Sequence, residues 1–568
     1  MFTPLPRTSE AFEQLSWSAI EPWYRELASA TLTEETLQPW MNQWSHLSAL
    51  VDETMSRHTL AVRQNISDVE RKQRKQRFID EIFASLQPYE QQIKERLLAS
   101  GLIPPGFELP LRNLRAEASL YRQENQVLSQ EDGALSDEYM QVFGSMKLIW
   151  EDQEVLLTSL SLSHPERARR ERVWRAIEER RSLERDRFNA LWVKQIRIRQ
   201  LIASNAGYAS YRDYRWQQLL RFDYTPAESK AFHALIERVL VPASNQIWEQ
   251  RRKRLRVEQL RPWDVSMDGR TDGTLPPITD VDALLRQSSF LFQLIDPRLG
   301  KYFAILRQEQ LLDLQKSPVK ALGGYVQALE VKHRPFIFGQ VGSAEHIVRT
   351  LFHEAGHAFH VFEMAALPFI HQRKLAAVPL EFAEVTSTSM EFIAAMYLDK
   401  AGLCSEREAA LVRLLHLEKM LANYLPEFII GDTFQHWVYE HPEEALDLQA
   451  CCQKWAELNR RYQPIIDWSG LETELSYGWQ RIPHFFCYPL YVIEYAFAAL
   501  GAIQIWRNYL RDPQEAMEQY LHALSLGATK TVPELYTAAG ATFTFDETAL
   551  QEAIQLVTRT MADLETRI

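Results

Sequence analysis

Residues 353–357 read His-Glu-Ala-Gly-His, and this pentapeptide is the strongest pattern in the chain. Two histidines four positions apart lie one turn apart on the same face of an α-helix, so both imidazoles can point at one cation. Zn²⁺ accepts neutral imidazole nitrogens at about 2.0–2.1 Å and prefers a tetrahedral shell. Glu354 follows the first histidine and can reach a water at an open position of the metal. The pattern predicts a helix over 345–363 in which His353 and His357 bind zinc and Glu354 is the general base.

A catalytic zinc site needs a third protein ligand, and the next predicted helix, over 379–398, offers candidates. Pro379 suits the start of a helix, and Glu381 and Glu384 follow it in the first turns. The helix dipole favours ionised carboxylates there, which is the form that a metal requires. Glu391 lies seven residues after Glu384 and shares its face. We predict that Glu384 is the third ligand, with Glu381 as the alternative.

Two residues closer to the pentapeptide are poorer candidates. Glu363 lies ten residues after His353, but a ligand at that spacing requires a glycine at position 360, where the chain turns out of the helix. The sequence has His360 at that position, so we reject Glu363. His360 itself is expected to pack near the site rather than to bind the metal.

The composition is that of a mainly helical globular protein. The 568 residues are 46% hydrophobic and 24% charged, which excludes disorder of the whole chain. With 20 glycines and 26 prolines, the chain has few of the turns that all-β folds need. Apolar residues recur at helical intervals over 166–201, 219–255 and 409–424. We therefore predict a mainly α fold.

Two stretches depart from the helical pattern. Residues 261–280 are rich in Pro, Gly and Asp and predict a loop or linker. Residues 302–338 contain three β-like pieces, at 311–314, 325–331 and 335–338. This region predicts a small sheet directly before the metal-binding helix.

Charge, cysteines and termini limit the location and the partners. With 63 Lys and Arg against 75 Asp and Glu, the formal charge is −12, which argues against a nucleic-acid partner. The four cysteines form no Cys-x-x-Cys pair, and so few of them favour a reducing compartment. The first residues, MFTPLPRTSEAFEQ, do not have the pattern of a signal peptide. The most apolar tract, 491–506, is too short and too polar to span a bilayer. We expect a cytoplasmic protein with no membrane partner.

Several segments together resemble a known family. The runs HEAGHAFH at 353–360 and LEFAEVTSTSMEF at 380–392 resemble the zinc oligopeptidases of the thimet oligopeptidase and oligoendopeptidase F family. The chain is most similar to the Pz-peptidase-like bacterial branch. The resemblance continues through LGGY at 322–325, PFIF at 335–338, IPH at 482–484 and YVIEY at 491–495, and it covers about 200–510. The family's third zinc ligand corresponds to Glu384.

The resemblance also implies a fold and an activity. It implies a two-lobed helical ellipsoid with a deep central channel, and one zinc ion per chain on the channel floor beside the small sheet. Residues 1–200 would form an N-terminal helical region that contributes to the channel wall, and residues 201–568 the catalytic region. The implied activity is cleavage of internal bonds in short oligopeptides, since a narrow channel excludes folded proteins.

Further site residues are implied by the same resemblance. In the segment 482–506, His484, Tyr491 and Tyr495 would donate hydrogen bonds to the reacting carbonyl. Spacing alone favours an aromatic core stripe for these residues and for Tyr488, with a helix that begins at Pro489.

The strand at 335–338 is expected to be an exposed edge that pairs with the peptide backbone. Gly324, Tyr325, Phe338 and Gly339 are the expected substrate-binding residues.

Two alternatives remain open at this stage. A related helical zinc carboxypeptidase would carry the same pentapeptide and downstream glutamate. A peptide-binding protein without catalysis is the alternative from another class. The sequence leaves the oligomeric state open.

Overall fold

The computed structural model describes residues 2–270, 277–321 and 323–568. Its chain forms two compact units, each built from three separate segments. Unit 1 comprises 1–119, 277–413 and 498–543, and unit 2 comprises 120–276, 414–497 and 544–568. The division expected from the sequence, 1–200 and 201–568, is a different partition, because each of those regions contributes to both units.

The fold is mainly α, as the composition predicts. Within the described residues the α-helices, in chain order, are α1 (Ser9–Glu13), α2 (Trp17–Ser29), α3 (Glu34–Gln64), α4 (Val69–Arg77), α5 (Ala84–Ser100), α6 (Glu108–Leu120), α7 (Glu124–Ser145), α8 (Arg167–Ser182), α9 (Arg185–Asn205), α10 (Tyr211–Gln218), α11 (Pro226–Arg254), α12 (Val281–Ile295), α13 (Pro297–Gln308), α14 (Ala344–Ile347), α15 (His353–Met364), α16 (Ile370–Arg373), α17 (Leu380–Ala395), α18 (Glu406–Lys419), α19 (Leu425–Glu440), α20 (Leu448–Tyr462), α21 (Glu472–Ser476), α22 (Pro483–Cys487), α23 (Ile493–Arg511), α24 (Pro513–Ser525), α25 (Val532–Ala538) and α26 (Glu547–Glu565). The strands are β1 (Lys147–Trp150), β2 (Gln153–Leu156), β3 (Leu312–Asp313), β4 (Tyr325–Leu329) and β5 (Arg334–Phe338).

Local sequence signals explain where two of the predicted helices begin and end. The helix predicted over 219–255 begins at Pro226, because Thr225 caps it and Glu228 completes a capping box. The segment predicted as one helix over 166–201 is divided into α8 and α9 by the short link at Leu183 and Glu184.

The core of unit 1 begins with the long helix α3. Trp40 and Trp44, one turn apart on this helix, are fully buried in an apolar cluster that also takes side chains from α2 and α5. Their rings lie 5.3 Å apart. Burial of side chains this large stabilises a unit whose helices are amphipathic on one face.

The small sheet of unit 1 has the strand order β3-β5-β4. β5 is the central strand: it pairs in parallel with β3 and antiparallel with β4, with Tyr325 opposite Phe338. The sheet begins later than the predicted 302–338, because α13 continues through Gln308. The prediction that 335–338 is an exposed edge strand is wrong, since β5 has a partner on both sides.

The helix predicted over 345–363 is built in three pieces. α14 leads into a π-helical segment, Val348–Phe352, which continues directly into α15. π-Helical turns inside helices are frequent at functional sites. The predicted helix over 379–398 corresponds to α17, whose residues Glu381–Ala395 are all buried. α15 packs against both α17 and β5.

Unit 2 contains a hairpin that is not among the elements predicted from the sequence. β1 and β2 pair antiparallel around Glu151 and Asp152, whose φ angles of 51° and 63° are those of a tight hairpin turn. In the C-terminal part of this unit, α22 holds residues 483–487, and the next helix begins at Ile493 rather than at the predicted Pro489.

Part of the predicted loop at 261–280 lies outside the described residues, namely 271–276. Leu322 of the glycine-containing motif also lies outside them. Among the helices that are described, none combines the length and apolarity that a membrane span requires.

Candidate active site

A close approach of two helices positions the site in unit 1. A Cβ atom added at Gly356 of α15 would lie 2.6 Å from the Cα atom of Ser387 and 2.7 Å from the carbonyl oxygen of Thr386, both on α17. Real Cβ atoms do not come so close to backbone. The glycine of the pentapeptide therefore lets α17 lie directly against the face of α15 that carries the two histidines.

The two imidazoles and one carboxylate converge across this contact. Nε2 of His353 lies 3.4 Å from Oε2 of Glu384, and Nε2 of His357 lies 3.7 Å from the same oxygen. All three donor atoms lie within 4.8 Å of one another. Ligand atoms about 2.0–2.1 Å from a tetrahedral zinc are themselves roughly 3.3 Å apart, so this donor set fits such an ion.

The geometry distinguishes the two glutamates that the sequence left in competition. The carboxylate that meets both imidazoles is that of Glu384. Glu381 lies one turn earlier on α17, where its backbone carbonyl accepts a hydrogen bond of 3.1 Å from the Tyr536 hydroxyl. Glu384, the residue predicted from the sequence, is therefore the one that lies beside both histidines.

Glu391 orients the first imidazole. Its Oε1 atom lies 2.6 Å from Nδ1 of His353, so Nδ1–H donates to it, and in the neutral ring Nε2 then carries the lone pair that a metal needs. Burial disfavours the charged imidazole, but the hydrogen bonds and charges of Glu384 and Glu391 outweigh it and raise the pKa of His353 well above its usual value. Glu391 lies seven residues after Glu384 and therefore shares its face of the helix, and this spacing is visible in the sequence.

His357 has a different environment. Burial lowers its pKa to about 4, so the ring is neutral at physiological pH and one of its nitrogens carries a lone pair. Its ring lies 5.0 Å from that of His353, at nearly a right angle. Within the described parts of the chain, Nδ1 of His357 has no hydrogen-bond partner.

Glu354 lies on the same helix and faces the small sheet. Burial raises its pKa to about 7, and a hydrogen bond from the backbone N–H of Val326 in β4 opposes the shift. A Cβ atom added at Gly324 would lie 3.3 Å from Oε1 of Glu354. The absence of a side chain at Gly324 therefore keeps space beside the carboxylate at the start of β4.

The two residues set aside in the sequence analysis lie outside the donor group. His360 is fully buried and has its ring 6.0 Å from Phe382, edge to face. Burial, together with the charge of His357, lowers the pKa of His360 to about 3. Glu363 accepts a hydrogen bond of 2.9 Å from Tyr302.

The expected substrate-binding residues fall into two groups. Phe338 is fully buried and its ring packs against that of Tyr325, with 5.1 Å between the ring centres, so its side chain is a core residue. The N–H of Gly339 donates a hydrogen bond of 2.9 Å to the backbone carbonyl oxygen of Asp313. The carbonyl oxygen of Gly339 accepts one of 2.8 Å from Nζ of Lys320. The backbone groups of Gly339 are thus already used within the protein. Gly324 and Tyr325 lie at the start of the edge strand β4, next to Glu354.

The histidine and tyrosines of segment 482–506 form a cluster within unit 2. The ring of His484 lies 5.9 Å from those of both Tyr491 and Tyr495, and the two tyrosine rings lie 5.4 Å apart. Tyr488 is 6.2 Å from His484 and 52% exposed. The irregular chain at 488–492, between α22 and α23, brings these four rings together.

Cys487 lies in the same segment and is half-buried. Its Sγ atom is 3.8 Å from the carbonyl oxygen of Ser136. Burial raises the pKa of this thiol to about 12, so it is protonated at neutral pH.

Comparison with solved structures gives the class of the fold. The structure described as Pz peptidase A with inhibitor 2 matches this chain with a TM-score of 0.89 and 23% sequence identity. The match covers 100% of this chain and 99% of that chain. The protein therefore has the helical fold of that peptidase.

The sequence identifies the family. The profile described as peptidase family M3 matches residues 160–272 and 306–556, which is more than half of the chain. The chain belongs to peptidase family M3, and the resemblance described from its motifs is confirmed.

Curated relatives agree with this assignment. The chain is 25% identical to an oligoendopeptidase F homolog of Borreliella burgdorferi over 53% of this chain and 50% of that protein. It is 24% identical to oligopeptidase PepF of Bacillus subtilis over 44% of this chain and 37% of that protein. The matched regions thus span half or less of these relatives.

Proposed function

We propose that this protein is a zinc-dependent endopeptidase that hydrolyses internal bonds of short oligopeptides. The observation that carries the proposal is the convergence of His353, His357 and Glu384, with Glu354 buried beside them on the same helix. Membership of peptidase family M3 and the names of the curated oligopeptidase relatives agree with it.

His353, His357 and Glu384 would hold one zinc ion per chain. When bound there, zinc would act as a Lewis acid toward the scissile carbonyl and would lower the pKa of the attacking water toward about 7. Glu391 keeps Nδ1 of His353 protonated and its Nε2 directed toward Glu384. The neutral state of His357 also suits a zinc ligand.

Glu354 would move the protons of the reaction. Its carboxylate accepts the proton of the attacking water and later delivers it to the amine that leaves. A group that must serve first as base and then as acid works best with a pKa near the operating pH, and in the metal-free site burial raises the pKa of Glu354 toward that range.

We propose that the peptide lies along β4. This strand is an edge of its three-stranded sheet, and the N–H of Val326 on it points to the carboxylate of Glu354. Main-chain hydrogen bonds to Gly324 and Tyr325 would position the peptide backbone with little selectivity for its side chains. Phe338 and Gly339 would support this strand from the interior of the sheet.

His484, Tyr491 and Tyr495 are proposed as donors to the carbonyl oxygen as negative charge develops on it. Their rings form one cluster, which lets them act on a single group. Removal of one such donor costs about 10²–10³ in rate. Loss of at least tenfold in kcat for Tyr491→Phe or Tyr495→Phe would support the assignment, and unchanged kcat in both would contradict it.

The decisive experiment uses an internally quenched peptide that is blocked at both ends. We expect cleavage by the wild-type protein, loss of cleavage on zinc chelation, and recovery when zinc is restored. Glu354→Gln should retain zinc and lose at least about 10³-fold in kcat.

The same experiment tests the alternatives. Cleavage of an unblocked peptide alone, with release of its C-terminal residue, would indicate a carboxypeptidase. Stoichiometric zinc and peptide binding without cleavage would indicate a binding protein. Equal cleavage of a folded protein and of its free internal peptides would contradict the narrow channel that the family resemblance implies.

We also propose a cytoplasmic location. The four cysteines, Cys404, Cys451, Cys452 and Cys487, are free thiols, which suits a reducing compartment.

A further inference from the structure

A second group of metal-ligating residue types lies in unit 2, between α11 and α19. His233 is on α11, and Asp432 and His436 are one turn apart on α19. One donor atom from each residue lies within 4.8 Å of the others. The exposed fractions of the three residues are 4%, 0% and 1%. The reaction proposed above uses none of them.

The Asp432 carboxylate is the centre of this group. Its Oδ2 atom is 2.7 Å from Nε2 of His233 and 3.4 Å from Nε2 of His436. Oδ2 also accepts a hydrogen bond of 3.2 Å from the Ser229 hydroxyl. Nδ1 of His233 lies 3.1 Å from the Thr433 hydroxyl, which fixes the orientation of that ring.

The Asp432 carboxylate is fully buried, and in the described residues it has no Arg or Lys among its contacts. Its contacts are the imidazoles of His233 and His436 and the Ser229 hydroxyl. A buried carboxylate needs a cation or hydrogen-bond donors to offset the loss of water. A metal ion held by all three side chains would supply that cation.

Several buried atoms of the group are also unsatisfied. Oδ1 of Asp432 and Nδ1 of His436 have no hydrogen-bond partner among the residues that the structure describes, and Nε2 of His436 has only its 3.4 Å contact with Oδ2 of Asp432. A buried polar atom without a hydrogen-bond partner is unfavourable. A cation between the three side chains would bind atoms that the protein itself leaves unused.

We propose that His233, Asp432 and His436 form a second zinc site with a structural role. Two imidazoles and a carboxylate are a donor set that zinc accepts. The distance of 3.4 Å between His436 and Asp432 already matches the roughly 3.3 Å between ligands of a tetrahedral zinc. The His233–Asp432 pair would open from its hydrogen bond by about half an ångström.

The surroundings indicate a closed site. The Ser229 hydroxyl, one turn before His233 on α11, donates to Oδ2 of Asp432 at 3.2 Å and would be the fourth donor. Structural zinc sites are fully enclosed and four-coordinate, whereas catalytic sites keep a position open to solvent and substrate. A zinc ion here would cross-link α11 to α19 and stabilise unit 2. The competing arrangement is an imidazolium held by Asp432 without a metal.

Zinc counting on the full chain tests the proposal. The double variant His353→Ala/His357→Ala removes two of the proposed ligands in unit 1. After equilibrium dialysis against Zn²⁺, we expect two zinc ions per chain in the wild type and one in this variant. Adding Asp432→Asn should remove the remaining ion. A double variant that binds no zinc, with the Asp432 group intact, would overturn the proposal.

A second measurement does not depend on the folding of the Asp432 variant. Crystals of the wild type soaked in Zn²⁺ should show an anomalous peak between His233, Asp432 and His436 at the zinc absorption edge. Absence of that peak would overturn the proposal. His441→Asn is the matched control, since it changes an exposed histidine just beyond α19 and should leave the zinc count unchanged.

The two proposals fail in distinguishable ways. Loss of the first zinc abolishes peptide cleavage. Loss of the second ion through Asp432→Asn should lower the melting temperature of the double variant. Added Zn²⁺ should raise the melting temperature of the double variant, but not that of the variant that also carries Asp432→Asn.

Discussion

Nδ1 of His353 lies 2.6 Å from Oε1 of Glu391, a residue on the neighbouring helix that is itself 5% exposed. The contact determines which ring nitrogen carries the proton, and so which nitrogen can bind a metal. It also joins α15 to α17 at a second point, two helical turns beyond Glu384. One helix thus provides both a carboxylate for the proposed ion and a carboxylate for the ligand of that ion.

We expect Glu391→Gln to weaken zinc binding by about 10–100-fold, because an amide can accept from Nδ1–H but carries no charge. Competition with a chromophoric chelator measures the affinity. Glu406→Gln, at the exposed start of α18, is the matched control and should bind zinc as the wild type does. An unchanged affinity in Glu391→Gln would mean that the contact does not orient His353.

Gly356→Ala should force α15 and α17 apart, because the added methyl group would lie 2.6 Å from backbone. Overpacking of this kind costs about 1–3 kcal/mol, and the shift would also displace Glu384 from the two imidazoles. We expect a lower melting temperature and weaker zinc binding together.

Gly133→Ala provides the control for this variant. Gly133 lies in α7, where an added Cβ atom meets nothing within 4 Å. Alanine in a helix interior is favoured over glycine by about 0.8–1.0 kcal/mol, so this change should stabilise the protein slightly. Equal effects of the two substitutions would argue against tight packing at Gly356.

Glu330 should make the stability of unit 1 depend on pH. Burial raises its pKa to about 7, and the charge of Asp52 adds to the shift. An unfolded glutamate titrates near 4.3, so the folded chain holds this proton more tightly. The stabilisation is fully present below about pH 4 and is lost as the pH rises through about 7.

Glu330→Gln should therefore become more stable relative to the wild type as the pH rises. From pH 5 to pH 8 we expect the difference in unfolding free energy to grow by about 2–3 kcal/mol, given 1.36 kcal/mol per pKa unit. Chemical denaturation at both pH values measures it. Glu35→Gln, at an exposed position on α3, should show no such trend, and a flat difference for Glu330→Gln would refute the assignment.

Cys487 should react slowly with alkylating reagents. With its pKa raised to about 12 by burial, the thiolate fraction at pH 8 is about 10³ times smaller than that of a free cysteine near pKa 8.5. We expect iodoacetamide labelling, followed by peptide mass mapping, to be at least 100-fold slower than for free cysteine. Labelling at the rate of a free thiol would contradict the burial of this group.

Short-range patterns were enough to predict the helical fold class and the metal-binding pentapeptide. The i, i+4 spacing of His353 and His357 is a property of any α-helix, and the pattern of carboxylates on α17 has the same origin. The motifs at 353–360 and 380–392 also carried the resemblance to the family that the comparisons then showed.

Long-range relations were predicted less well. The strand at 335–338 was predicted as an edge, but it is the central strand because β3, distant from it in sequence, pairs with its other side. The group of His233, Asp432 and His436 is not predicted from the sequence, because its members come from two helices about 200 residues apart. No local periodicity reports such contacts.

The sequence alone determined that one helix presents two imidazoles and an acid, and that a following helix carries several carboxylates. The tertiary structure decided which carboxylate meets the imidazoles, which one orients His353, and which strands lie at the edges of the small sheet. The reason is physical: the helical repeat places side chains on a face, but the packing of one element against another determines what that face meets.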